Sequence, residues 1–233
     1  MKRYSSIVAV IFVFVLALSM PLRAAEQVFR FEDVPEQNKV TVDGTSTVHD
    51  WTVRGKVIDG SVELRADVEP GATAQAIKNA LVADPKVQVA VEIPVLSLKS
   101  GKSDMDKKMY EALKRDKNPI IRYKLIEAVV EKGNGNDDVF QLQTTGELTV
   151  AGVTRQLKMP FTLQVVDDNQ LKFTGRIVLK MTDFKMKPPQ AALGLIKSGD
   201  RVDVRVEWTT ARVKAASPAM TGAGSTNGAG SEK

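Results

Sequence analysis

The sequence has no cysteine and a single histidine, His49, among its 233 residues. Without cysteine, the chain can form neither a disulfide framework nor a thiolate metal site. A transition-metal centre would have to rest almost entirely on carboxylates, which are poor ligands for such ions when thiolate and further imidazole groups are missing. We therefore expect neither a bound metal nor a cofactor.

Sequence signatures of catalysis are also missing. There is no Gly-x-Ser-x-Gly motif and no phosphate-binding loop, and a serine nucleophile would find no histidine partner other than His49. Asp and Glu fall mainly in turns and at outward strand positions. The sequence predicts a protein that is not an enzyme, and an enzyme that depends on His49 ranks below that interpretation.

Long apolar runs are confined to the N-terminus. Residues 7–20 are apolar, follow Lys2 and Arg3, and are followed by the small residues Ala24 and Ala25. The run is shorter than the roughly 20 residues of a membrane-spanning helix. It therefore predicts a signal peptide over residues 1–24, no stable membrane span after cleavage, and a periplasmic or secreted protein. An uncleaved membrane anchor is the alternative.

The excess of positive charge is small once the signal peptide is set aside. Loss of Lys2, Arg3 and Arg23 lowers the formal net charge from +5 to +2. The remaining basic residues alternate with apolar ones instead of clustering, which is typical of a solvated outer surface and argues against a nucleic-acid partner. Residues 214–233, rich in Gly, Ala and Ser, predict a disordered tail.

Between these ends, residues 26–213 show the period-two alternation of β-strands. In the last strand, for example, Val202, Val204 and Val206 alternate with charged residues. About eight such segments, each joined to the next by a short turn, favour a mainly β, eight-stranded antiparallel barrel over a sandwich, because closure removes exposed edges. Such a barrel has room for packed side chains or for one slender ligand, over a height of about 27 Å.

Local signals add three finer expectations. Asp59-Gly60 predicts a type I′ hairpin between strands at 51–57 and 62–68, and residues 73–82 fit a short helix. Residues 103–116 predict one amphipathic α-helix, with Ser103 and Asp106 as a capping box. Its apolar face carries Met105, Met109, Ala112 and Leu113.

Four motifs in order resemble the YceI-like family of exported bacterial proteins that bind polyisoprenoids and other lipids in a lipocalin-like barrel. They are Gly44-Thr-Ser-Thr-Val-His-Asp-Trp51; Met109-Tyr-Glu-Ala-Leu113 with Asn118-Pro119; Gly146-Glu-Leu-Thr-Val-Ala-Gly-Val-Thr-Arg155; and Thr182-Asp-Phe184 with Pro188-Pro189 and Gly199-Asp200. The resemblance implies a long apolar cavity that takes an isoprenoid or fatty-acyl chain, with the helix near one barrel mouth.

Side chains at inward strand positions and on the apolar helix face are the candidate ligand contacts. They are His49, Trp51, Val91, Met105, Met109, Leu113, Phe173, Leu179, Met181 and Trp208. Each also has a purely structural interpretation, because inward aromatic residues mostly serve packing and methionines fill irregular cores. The basic helix residues Lys107, Lys108, Lys114 and Arg115 fit either a phosphate head group or a solvated face.

The leading hypothesis is a periplasmic or secreted binding protein for an amphiphilic lipid, such as an isoprenoid or fatty-acid derivative. The alternative is a non-enzymatic structural or protein-interaction barrel with a filled core. A third hypothesis is an enzyme that acts on a lipid through His49. The sequence leaves open whether the protein forms a homodimer.

Overall fold

The structure is a computed structural model that describes residues 27–66, 86–131 and 138–213. The described residues form eleven β-strands, one α-helix and three short 3-10 helices. The strands are β1 (Gln27–Asp33), β2 (Lys39–Ser46), β3 (Trp51–Gly55), β4 (Asp59–Ala66), β5 (Lys86–Pro94), β6 (Ile120–Glu131), β7 (Val139–Val150), β8 (Val153–Asp167), β9 (Gln170–Lys180), β10 (Gln190–Ala191) and β11 (Ile196–Arg212). The α-helix is α1 (Ser103–Ala112), and the 3-10 helices are Val95–Ser97, Met181–Phe184 and Ala192–Gly194.

The strands close into an antiparallel barrel. Neighbours follow the order β1-β4-β5-β6-β7-β8-β9-β11, and β11 pairs with β1 to complete the ring of eight. β2 continues along β11 beyond the end of β1, and β3 pairs with β2. β1 and β2 therefore follow one another at a single strand position of the wall. β3 and β4 do the same at the neighbouring position. The predicted eight-stranded antiparallel barrel is confirmed.

A buried asparagine bridges the break between β1 and β2. Asn38 Nδ2 donates to the Ile58 carbonyl over 3.4 Å, and its Oδ1 accepts from the Thr209 amide over 3.0 Å. The Val34 amide bonds the Thr209 carbonyl at 2.9 Å. These bonds satisfy backbone groups that the interrupted ladder would leave unpaired.

The predicted hairpin at Asp59-Gly60 is wrong. Gly44 of β2 lies opposite Trp51 of β3, and β4 pairs with β1 and β5, so β3 and β4 do not pair with each other. Asp59 and Gly60 are the first residues of β4. The chain continues in one direction through the buried Ile58, because pairing with β1 and β2 overrides the local turn preference.

The predicted helix is confirmed, but its start and its end differ from expectation. Its N-cap is Lys102, with no side-chain cap bond, so the capping box at Ser103 is wrong. Asp106 instead accepts from the backbone amide and hydroxyl of Ser100, at 2.7 and 2.6 Å. The α-helix ends at Ala112, because Lys114 adopts a left-handed conformation with φ of 52°.

Three expectations lie outside the described residues: the signal peptide over 1–24, the helix over 73–82 and the tail over 214–233. Within the described ranges, no helix is long and apolar enough to cross a membrane.

Buried apolar side chains lie at both ends of the barrel and also between them, as at Val40, Val62 and Leu142. At the end away from α1 they include Phe29, Phe31, Leu64, Leu163 and Leu171, and at the α1 end they include Val95, Leu98, Leu113, Met181 and Phe184. Many inward side chains between these groups are only half-buried, which indicates space inside the wall.

Candidate functional site

A cavity of about 820 Å³ occupies the barrel interior. Its lining comes from β2 to β9, from β11 and from α1, and consists mainly of Val, Leu, Ile and Met side chains. The volume lies in the upper part of the roughly 300–1,000 Å³ range of small-molecule pockets. The interior can therefore hold a sizeable apolar molecule.

Strand alternation produces this lining. Along β5, the inward side chains Val87, Val89, Val91 and Ile93 all reach the cavity, while Lys86, Gln88 and Glu92 do not. β-branched residues suit a strand with one apolar face, since their stiff side chains pack well on a pleated surface.

Three inward aromatic rings occupy the space beside glycines of neighbouring strands. A Cβ built at any of these glycines would approach the facing ring closer than 3.0 Å, which real Cβ atoms essentially never do. The absent side chains therefore leave room for the rings beside the wall, and the rings line the cavity without filling it. The pairs are Gly44 with Trp51, Gly146 with Tyr123 and Gly175 with Phe161.

One hydrogen-bonded pair places polar atoms inside the apolar lining. The Thr144 hydroxyl donates to the Met159 carbonyl at 2.7 Å and lies 3.3 Å from the Tyr123 hydroxyl. Because the Thr144 proton is engaged, Tyr123 must donate to Thr144, and its oxygen can still accept a bond. Burial raises the pKa of Tyr123, and the hydrogen bond with Thr144 opposes that rise. The phenol is therefore neutral at physiological pH.

Charged residues gather at the α1 end of the cavity. Lys102, Asp104 and Lys108 line it from the helix and its start, and Lys180 lines it from the end of β9. All four side chains belong to exposed residues. This end is the mouth of the cavity, where a polar group can remain in water while an apolar chain lies inside.

All ten residues predicted as ligand contacts line the cavity. His49, Met105, Met109, Leu113, Leu179 and Met181 lie toward the mouth, while Trp51, Val91, Phe173 and Trp208 lie along the wall. The Phe173 and Trp208 rings are 5.3 Å apart between centroids. Their position is established by the structure, whereas contact with a ligand stays a prediction.

His49 reaches the cavity differently from the expectation. Strand parity predicted an inward residue, but β2 ends at Ser46 and His49 is exposed in the following turn. The Ser46 hydroxyl donates to the His49 carbonyl at 2.6 Å, and the His49 Nδ1 lies 3.0 Å from the Asp50 carbonyl. Ser46 thus bonds the backbone of His49 and not its ring, so the two do not form a nucleophile–base pair.

Several lining residues were not predicted. Tyr123 and Phe161 have inward parity and could have been chosen from the alternation. Thr144 lies in a Thr-Thr-Gly stretch that hides the alternation. Met186 lies outside the strands, and Lys180 has outward parity at the last position of β9. Of the four basic helix residues singled out, Lys108 alone is at the cavity.

No group of three or more His, Asp or Glu residues able to hold a metal ion occurs in the part of the chain that the structure describes.

Comparison with known proteins identifies the domain. A YceI-like domain matches residues 31–210. Burkholderia cenocepacia BcnA is 14% identical, with a TM-score of 0.55 over 76% of this chain and 98% of its own. A polyisoprenoid binding domain from Saccharophagus degradans, implicated in plant cell wall breakdown, is 11% identical, with a TM-score of 0.55 over 79% and 99%. At identities this low, the similarity to these two structures shows a shared fold only. No curated protein matches the sequence.

Proposed function

The chain belongs to the YceI-like family, and we propose that it is a periplasmic or secreted binding protein that holds an amphiphilic lipid inside its barrel. The observation that carries the proposal is the apolar cavity of about 820 Å³. The polyisoprenoid-binding name of the Saccharophagus degradans domain, which shares the fold, makes an isoprenoid chain the first ligand to test, followed by a fatty-acyl chain.

The two ends of the cavity suit the two parts of an amphiphile. The wall offers apolar contacts to a flexible chain, and Met105 and Met109 on α1 add unbranched side chains that adapt to irregular ligands. Lys102, Lys108 and Lys180 stand at the mouth. A ligand inserted tail first would place an anionic or polar head group among these ammonium groups.

The competing hypotheses fit the structure less well. A structural or protein-interaction barrel with a filled core would not retain a cavity of this volume. An enzyme that used His49 as the base of a serine nucleophile would need a serine hydroxyl at the ring, but the Ser46 hydroxyl bonds the backbone of His49 and the ring Nδ1 lies at the Asp50 carbonyl. Binding without catalysis is therefore the function we propose.

The test is lipid content after purification from a bacterial periplasm. We expect native mass spectrometry to show an added mass, and organic extraction to release a lipid of that mass. Val91→Trp directs a large ring into the cavity, whereas Val178→Trp makes the same change at an exposed position on β9. The first variant should lose the lipid and the second should keep it. Wild-type protein that stays ligand-free even after incubation with isoprenoid and fatty-acyl lipids would refute the proposal.

The proposed location has its own measurement. N-terminal sequencing of protein recovered from the periplasmic fraction should begin just after Ala24 or Ala25. Recovery of the intact N-terminus in the membrane fraction would instead support the uncleaved anchor.

A further inference from the structure

The three most exposed large apolar side chains in the described residues lie together at the cavity mouth. Leu193, Leu195 and Val48 have exposed fractions of 106%, 80% and 65%, and no other large apolar side chain in these ranges exceeds 52%. Two of them follow β10 and the third lies between β2 and β3. Such a concentration at one opening marks an interaction surface.

Hydrogen bonds join the two loops that carry these side chains. The Thr47 amide donates to the Lys197 carbonyl at 3.0 Å, and the Thr47 hydroxyl donates to the Leu195 carbonyl at 3.2 Å. The Lys197 amide in turn donates to the Thr47 hydroxyl at 3.2 Å. We call the joined surface the apolar rim, made of Val48, Leu193, Leu195 and Ile196.

The apolar rim is continuous with the interior. Ile196 belongs to the rim and also lines the cavity, and Ser46, His49 and Gln190, which flank the rim loops, line it as well. An apolar chain could therefore pass from the rim into the barrel along apolar side chains. The mouth and the rim form one surface.

Leu193 adopts a backbone conformation that leucine rarely takes. Its φ and ψ are 54° and 33°, in the left-handed region that Gly and Asn favour. Its side chain is fully exposed, so packing within the barrel does not account for a leucine here. A role for the side chain outside the molecule does account for it.

Positive charge surrounds the rim. Lys102, Lys108 and Lys180 line the mouth, and Lys185, Lys187 and Lys197 are exposed beside mouth-lining residues. The mouth segments 46–51, 102–118 and 180–200 contain ten Lys and Arg residues and seven carboxylates, which are Asp50, Asp104, Asp106, Glu111, Asp116, Asp183 and Asp200. The Asp200 carboxylate already accepts from the amide and hydroxyl of Thr182 at 2.9 and 2.7 Å, which helps to hold its pKa below the ordinary value. Lysines therefore outnumber acidic groups around the opening.

We propose that the apolar rim docks on a bilayer that contains anionic phospholipid, and that the lipid passes between bilayer and cavity through the mouth. Exposed leucines enter the interfacial region, and lysines contact anionic head groups. Docking allows the lipid tail to move between the bilayer and the cavity without exposure to water, which would be unfavourable for an apolar chain. The passage of lipid through the mouth rests on the proposed lipid binding. Docking on the bilayer can be measured without a ligand in the cavity.

The experiment measures sedimentation of the purified protein with vesicles. One set contains phosphatidylcholine alone and the other contains phosphatidylcholine with phosphatidylglycerol. The rim variant is Leu193→Asn with Leu195→Ser, where Asn suits the left-handed backbone. The matched control is Ile126→Thr with Val129→Thr, two exposed apolar residues on the outer face of β6. Urea unfolding confirms that both variants keep the fold.

We expect wild-type protein to bind the anionic vesicles and to bind them less well at high salt, since screening weakens the lysine contribution. The rim variant should lose at least about tenfold in partition coefficient, because two leucines no longer enter the interface, and the control should not change. Loading of a fluorescent lipid from vesicles should slow in the rim variant, while its equilibrium affinity for detergent-dispersed lipid stays the same.

Three results would overturn the docking proposal. Wild-type protein could fail to bind either vesicle set, the rim variant could bind as well as the control, or the rim could instead mediate a concentration-dependent dimer that the variant abolishes. In each case, the affinity for detergent-dispersed lipid still decides the proposed function separately.

Discussion

Gly175 and Phe161 face each other across β9 and β8, and their contact offers a way to narrow the cavity while preserving the barrel. A Cβ added at position 175 would come closer than 3.0 Å to the Phe161 ring, whereas carbon atoms pack at about 3.5–4.0 Å. We therefore expect Gly175→Ala to push the ring inward by about 1 Å. The ring lines the cavity, so it moves into open space and not into packed side chains.

The effects on stability and on binding should then separate. Overpacking usually costs about 1–3 kcal/mol, but most of this cost disappears when the ring can move, and alanine gains about 0.5–1 kcal/mol over glycine in a strand. The free energy of unfolding should change by less than about 1 kcal/mol. If the shifted ring displaces about two methylene groups of the ligand from the cavity, the binding free energy falls by about 1.6 kcal/mol. That loss weakens Kd roughly fifteenfold.

Kd can be measured by displacement of a fluorescent fatty-acid analogue, and stability by urea unfolding. The control is the Phe161→Leu background, in which Gly175→Ala should have no further effect on Kd, since no ring is left to displace. If Gly175→Ala lost more than about 3 kcal/mol of stability with Kd unchanged, the ring would be fixed and the reasoning refuted. An equal loss of affinity in the Phe161→Leu background would also refute it.

Three further substitutions test other parts of the structure. Asn38→Ala leaves the Ile58 carbonyl and the Thr209 amide unpaired, so urea unfolding should show a loss of about 2–3 kcal/mol; a change within error would contradict the bridging role. Asp106→Ala releases Ser100 from the start of α1, so stopped-flow measurements should show faster lipid release, and an unchanged rate would show that this anchor does not control the mouth. Tyr123 has a pKa raised above 10.0 by burial, so its contribution to stability is complete below pH 10 and is lost as the pH rises through the folded-state pKa. Tyr123→Phe should remove that alkaline loss in unfolding experiments, together with one phenolate absorbance step above pH 10.

The barrel and its lining were predictable because side-chain alternation reports directly on which face of a strand is apolar. On β5, β9 and β11 the alternation extends over most of the strand, and Val91, Phe173 and Trp208 lie at the cavity as their parity requires. The methionine face of α1 was predictable for a similar reason, since Met105 and Met109 share one side of a helix. Such patterns depend only on local geometry.

The errors arose where other contacts override local preference. Asp59-Gly60 has the composition of a tight turn, yet its neighbours pair with strands that lie far away in sequence. Parity predicted that His49 faces inward from a strand, but β2 ends at Ser46 and His49 reaches the cavity from the following loop. Ser103 has a good capping residue type, but the carboxylate of Asp106 is already held by Ser100. The pairings of β4 join residues far apart in sequence, whereas the Ser100–Asp106 bond is local and replaces the expected capping box.

An eight-stranded barrel is narrow enough for side chains to fill it, so an open interior needs a physical cause. Here the bulky side chains are distributed unevenly: Phe29 and Phe31 are buried at the far end, Phe184 at the α1 end, and the rings between these ends lie beside glycines. The far end of the described barrel is thus packed by Phe29 and Phe31, while the interior stays open toward the α1 end. For the proposed amphiphilic ligand, tail-first entry from the α1 end fits the described residues, because lysines and exposed leucines lie at that end. The proposed function then accounts for the most exposed apolar side chains at that end, because a lipid held in the barrel would be exchanged there.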